Sequence, residues 1–264
     1  MSTPGPRATA ATLSIKVPLV TLYFWIIKIM ATTVGETAAD FLNFDMKLGL
    51  VKTSWLMAVL LVIALIIQIA ARRYVPWKYW LAVVFLSIFG TLVTDNLSDN
   101  YGVSLIVTTI GFSAALIATF LAWHASEHTL SIHSITSRRR ELFYWTAILF
   151  TFALGTAAGD LLAERLALGY AVSALLFGGA IALVTLAYFR FGLDSVWAFW
   201  IAYVLTRPFG ASCGDLLSQA PKDGGLGLGT IGTSALFLAV IVGLVSYLSY
   251  TRSDTLPDDA NVVA

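Results

Sequence analysis

Apolar residues fall in eight long runs: Val17–Leu42, Ser54–Ala71, Tyr79–Leu97, Val103–Trp123, Leu142–Leu162, Leu166–Phe189, Val196–Leu217 and Leu226–Tyr250. A helix that crosses a bilayer needs about 20 mostly apolar residues. A membrane barrel would instead show segments of about ten residues with alternating hydrophobicity. The pattern therefore predicts an all-α polytopic membrane protein with eight transmembrane helices. The even-numbered runs contain no Asp, Glu, Lys or Arg. Lys28, Glu36, Asp40, Asp95, Asp160, Arg207 and Asp215 all lie in the odd-numbered ones.

The odd runs superimpose without gaps as Trp25–Leu42, Trp80–Leu97, Trp145–Leu162 and Trp200–Leu217. Ten residues after each Trp stands Gly35, Gly90, Gly155 or Gly210, and five further on Asp40, Asp95, Asp160 or Asp215. Phe24, Tyr79, Tyr144 and Phe199 precede the four Trp residues. One repeat is an odd helix bearing the motif and a featureless even helix. Two spans per unit make all four repeats parallel, related by rotation about the membrane normal. The expected architecture is four parallel two-helix repeats, as a pseudo-fourfold ring or as two halves. The halves are 17–123 and 142–250, joined by a cytoplasmic linker at 124–141, with tails at 1–16 and 251–264; the tail from Asp254 onward reads as disordered.

Composition sharpens this picture. The chain is 58% hydrophobic and 12% charged, against about 45–50% and about 25% in soluble domains, so a soluble or disordered protein is excluded. A net charge of +1 supplies no field for nucleic acid. The single Cys213 excludes an internal disulfide and a multi-Cys zinc site. No phosphate-cradling loop is present, which argues against a nucleotide-driven pump. With a cytoplasmic N-terminus, the inner segments hold Arg7, Lys16, Arg72, Arg73, Lys78, Arg138, Arg139, Arg140, Arg190 and Arg252. The outer loops hold only Lys47, Lys52, Arg165 and Lys222, so both termini are expected inside.

The four Trp residues, with stretches such as Ile26–Leu42 and Phe150–Leu162, resemble a family of bacterial inner-membrane proteins. That family is built from four tandem repeats of unknown function, each with two spans and a signature Trp. The resemblance covers Val17 to Tyr250. It implies an eight-span integral membrane protein of the bacterial inner membrane, and it brings no established activity.

The repeat positions suggest separate tasks. The Trp residues read as interfacial aromatic anchors. Each Gly opens a small-xxx-small pair, Gly35/Ala39, Gly90/Thr94, Gly155/Gly159 and Gly210/Gly214, suited to close helix packing. The four Asp residues fall at one height near the outer end of the odd helices. Carboxylates are unfavourable at a helix C-terminus, so their repetition points to a cation site or cation-attracting mouth. Asp40, one turn from Glu36, is expected to matter most. Lys28, Thr32, Glu36 and Asp40 form one stripe. Glu36 would lie near the midplane, where ionisable groups face the bundle interior and are functional by default; Arg207 is its expected partner in a closed ring. Lys28 is expected to snorkel to the interface. His124, Glu127 and His128 spell H-x-x-E-H, a spacing that can present metal ligands, and Cys213 reads as a packing residue.

Together these features suggest a transporter or channel for a cation, with a divalent metal or a proton-coupled solute as the candidate cargo. Glu36, the four Asp residues, Arg207 and Lys28 are the transport residues. The expected partners are the lipid bilayer and a small cation or solute. Apart from a bound cation no cofactor is implied, and no catalytic residue is assigned. Alternatives are a membrane-embedded metal protein or enzyme using His124, Glu127 and His128, and a non-transporting sensor or assembly factor.

Overall fold

The computed structural model describes residues 15–255, and the remainder of both expected tails lies outside them. The described residues form eight α-helices: α1 (Leu22–Asp40), α2 (Leu50–Ala70), α3 (Pro76–Asp95), α4 (Leu105–Glu127), α5 (Arg138–Asp160), α6 (Tyr170–Phe191), α7 (Ser195–Ser218) and α8 (Gly229–Thr251). Local chemistry fixes their starts. Thr21, Ser104, Ser137 and Asp194 accept first-turn amide hydrogen bonds at the beginnings of α1, α4, α5 and α7, which satisfies donors that a helix leaves unpaired. Pro76 opens α3, where its missing N–H costs nothing. The helices α1, α3 and α5 each end on the repeat Asp and pass into a five-residue π-helical turn, whereas α7 runs three residues past Asp215.

The odd helices make a closed ring. α1 packs on α3 and α7, and α5 packs on the same two. The even helices lie outside, each leaning chiefly on the odd helix of the next repeat: α2 on α3, α4 on α5, α6 on α7, and α8 back on α1. Of the two arrangements expected from the sequence, this is the ring rather than two separate halves.

The repeat glycines explain the ring's closeness. A Cβ on Gly35 would collide with Ser87, on Gly90 with Phe152, on Gly155 with Arg207, and on Gly210 with Thr32. In all four seams the glycine receives the residue seven positions after the next repeat's Trp. Backbones approach closely wherever a side chain is absent, so the motif sets one helix spacing four times.

The aromatic pairs close the ring at its Trp end. Phe24 packs on Trp80 at 5.6 Å between ring centroids, Tyr79 on Trp145 at 5.4 Å, Tyr144 on Trp200 at 6.1 Å, and Phe199 on Trp25 at 5.8 Å. Trp80, Trp145 and Trp200 are buried and Trp25 is half-buried. The expectation of interfacial anchors is thus overturned for Trp80, Trp145 and Trp200: each indole of the four is packed between its own preceding aromatic ring and that of the previous repeat.

Six helices, α2 to α6 and α8, are long and apolar enough to cross a membrane. The two others, α1 and α7, carry Lys28, Glu36 and Arg207 in the protein interior. The expectation of eight apolar spans therefore narrows to six by length and apolarity. The even helices expose large apolar side chains such as Ile66, Leu121, Leu175 and Val242, the outer surface of a membrane-embedded protein.

Both ends of the described segment are tied to the Trp face. Lys16 pairs with Glu141 at 2.6 Å and donates to the Ile69 carbonyl at 3.0 Å. The Asp254 carbonyl accepts from the Leu19 amide, and its carboxyl accepts from the Tyr74 hydroxyl at 2.6 Å. Lys16 and Asp254 are consequently packed elements rather than parts of free tails, and the expected linker narrows to residues 128–137 between α4 and α5.

Candidate functional site

Successive turns of the odd helices present one stripe each to the ring axis. Seven positions beyond each Trp stand Thr32, Ser87, Phe152 and Arg207, all fully buried. Four residues further on stand Glu36, Thr91, Thr156 and Ala211, and then the four Asp residues. Position seven is where the glycines make room, and in the fourth repeat that room holds the stem of Arg207.

Arg207 binds partners from three other repeats. Its Nη2, with two N–H groups, lies within hydrogen-bond reach of three acceptors: Glu36 Oε2 at 3.0 Å, Thr156 Oγ1 at 2.8 Å and Thr91 Oγ1. Its Nη1 donates to the Thr32 carbonyl at 3.2 Å. Nε has no partner among the described residues. The pair expected from the sequence is therefore in contact. A buried charge pair needs its remaining donors satisfied to offset desolvation; the two threonines and the Thr32 carbonyl supply acceptors to the terminal nitrogens, and Nε is left unpaired among the described residues. Neither threonine stands out in the sequence, although both occupy the position of Glu36 in their own repeats.

Above this pair lies a carboxylate cluster. One oxygen each of Glu36, Asp160 and Asp215 lies within 4.8 Å of the others, the one such grouping of potential metal ligands among the described residues. Asp40 and Asp95 are half-buried beside it, and Asp40 accepts from Gln219 Nε2 at 3.2 Å. The expected symmetric ring of four acids is lopsided in consequence. Asp160 and Asp215, and not Asp40, join Glu36 in this grouping.

Lys28 does not snorkel. It is fully buried, with its ammonium 4.2 Å from the Phe152 ring centroid and 4.3 Å from that of Tyr203. It sits on the same inward stripe as Glu36, so its stem points along the axis and the aromatic faces supply cation–π stabilisation.

The H-x-x-E-H segment forms no ligand cluster. Arg140 holds Glu127 at 2.8 Å, with Arg139 at 3.6 Å. His128 ends α4 in the left-handed conformation, with φ of 56°, so the helix breaks before both imidazoles can continue one face. The metal-protein alternative loses its carboxylate to two arginines.

A family model described as "Repeat of Unknown Function (DUF347)" matches four segments, residues 23–74, 78–129, 143–193 and 198–254. The chain belongs to this family. Each matched repeat begins two residues before its Trp and spans one odd and one even helix, the unit that builds the ring. No curated protein and no solved structure matches the chain.

Proposed function

We propose that this DUF347 protein is a cation carrier of the bacterial inner membrane, with all eight helices crossing the bilayer and both termini cytoplasmic. One observation carries the reading: the Glu36 carboxylate is shared between the Arg207 guanidinium and the cluster with Asp160 and Asp215. A hard divalent cation seeks several carboxylate, hydroxyl or carbonyl oxygens. On entering the cluster it would compete with Arg207 for Glu36, and Arg207 would retain Thr91 and Thr156. Binding and the ion pair across the α1–α7 seam are then linked, and a ligand can shift an equilibrium only through such differential contacts. The interlocked aromatic belt at the Trp end supports a carrier over an open pore, since passage requires that belt to part.

The test is a melting series of the purified protein in Mn²⁺, Mg²⁺, Ca²⁺, Zn²⁺ and K⁺. A ligand that binds only the folded state stabilises it by mass action. At least one divalent ion should raise the wild-type midpoint, and Asp160→Asn and Asp215→Asn should blunt that rise. No shift with any ion, or equal shifts in both variants, contradicts the reading.

A further inference from the structure

The ring is pseudo-fourfold, yet one of its outer quadrants is hollow. In the quadrant of α4, Phe120 and Trp123 pack edge-on against Trp200, with centroids at 4.8 and 5.8 Å. Those residues stand 40 and 43 positions after Trp80. The same offsets from Trp145 give Thr185 and Tyr188 on α6, which face Trp25. Thr185 and Tyr188, the latter 42% exposed, line a groove of about 660 Å³ between α1, α6 and α7. Trp25, which lines this groove, is the one half-buried member of the four repeat Trp residues.

The groove is polar at one end and apolar along its depth. Thr21, Ser131, His133 and Ser195 line it toward the Trp face. Ile29, Ile181 and Thr206 lie at the deep end. From Ser195 to Thr206 the wall runs roughly 16 Å, at about 1.5 Å per residue. The surrounding apolar surfaces of α6 are those of a membrane-embedded helix, and hydroxyl and imidazole donors at a membrane surface suit a phosphate headgroup.

We infer that this groove holds one glycerophospholipid, its acyl chain in the space that Phe120 and Trp123 fill in the α4 quadrant and its phosphate at His133, Ser131 and Ser195. The bound lipid completes the wall of the α1–α7 seam, the seam that the Glu36–Arg207 pair crosses. The inference rests on the membrane-embedded architecture and not on the cation reading.

The test uses full-length protein washed extensively in an alkyl glycoside detergent and examined by native mass spectrometry. Wild type should retain one phospholipid per chain. The Thr185→Phe, Tyr188→Trp double variant, which copies the filled quadrant, should lose it. Added phosphatidylglycerol should raise the wild-type melting midpoint and leave that of the variant unchanged. Phosphatidylglycerol with brominated acyl chains should quench wild-type Trp fluorescence more than that of Trp25→Phe, a readout that survives if the double variant misfolds. A lipid-free wild type, equal lipid in variant and wild type, equal quenching with and without Trp25, or equal stabilisation by the phosphate-free detergent overturns the inference.

Discussion

Arg207 of α7 reaches Glu36 of α1 at 3.0 Å, joining the last repeat to the first at the seam where the ring closes. The contact depends on Gly155, whose missing side chain leaves room for the arginine stem. Removing one member of a buried pair leaves an uncompensated charge and costs about 3–5 kcal/mol, whereas removing both is often much milder. Glu36→Gln and Arg207→Gln should each lower the stability of the detergent-solubilised protein by that order, and the double variant should lose less than the two combined. Denaturant or thermal unfolding of the four proteins completes the cycle. Strict additivity would contradict the pair.

Glycine substitutions separate ring packing from helix propensity. Forcing extra carbon into a packed core costs about 1–3 kcal/mol, while a Gly→Ala change at an unobstructed helical site gains roughly 0.4–1 kcal/mol. Gly155→Ala meets Arg207 and Gly35→Ala meets Ser87, but Gly111→Ala meets nothing within 4 Å. The first two should lower the melting midpoint and the third should hold or raise it. A fall as large for Gly111→Ala would refute the ring-spacing account.

Much of this arrangement is legible in the chain. Trp25, Gly35 and Asp40, with their counterparts, mark the repeat, and the stripe of Lys28, Thr32 and Glu36 announces a polar interior face. What a linear pattern does not specify is which way a side chain turns at a given depth. An indole near a helix start reads the same whether it meets lipid or a neighbouring ring, so the Trp residues look like anchors until the Phe24–Trp80 and Tyr79–Trp145 contacts are seen. Lys28 looks close enough to the interface to escape, yet its stripe directs it onto Phe152. Thr91 and Thr156 are ordinary residues in their own spans and acquire a role only when Arg207 arrives from another repeat.

The clasp between Tyr74 and Asp254 lies outside the spans and predicts a pH dependence. Burial raises the Asp254 carboxyl above its usual range, partly offset by the Tyr74 hydrogen bond. A carboxyl with a raised folded-state pKa favours folding while protonated, and that stabilisation is lost as pH rises from the ordinary carboxylate range through the raised value. Asp254→Asn cannot ionise and escapes the loss. Its melting midpoint relative to wild type should therefore climb as pH is raised from 4 to 8. A difference that is flat or falls with pH would show that the clasp carries no such penalty.

The ends of the chain also report on the bilayer. Basic residues concentrate on one side of the spans, so a tag at residue 258 should be reached only from the cytoplasm and a probe at Asp99 or Lys222 only from outside. An external C-terminus in an accessibility assay would contradict eight crossings by parallel repeats.

The claim that Glu36, Asp160 and Asp215 carry a cation past the Arg207 pair is tested most directly by flux. Proteoliposomes containing wild type, Asp215→Asn or Glu36→Gln would be given each of the five cations in turn, with internal metal and internal pH followed together. Wild type should accumulate at least one divalent ion several-fold above empty liposomes, and both variants should fall to the empty-liposome rate while still folded. Flux absent from wild type for every ion, or undiminished in both variants, would contradict the account.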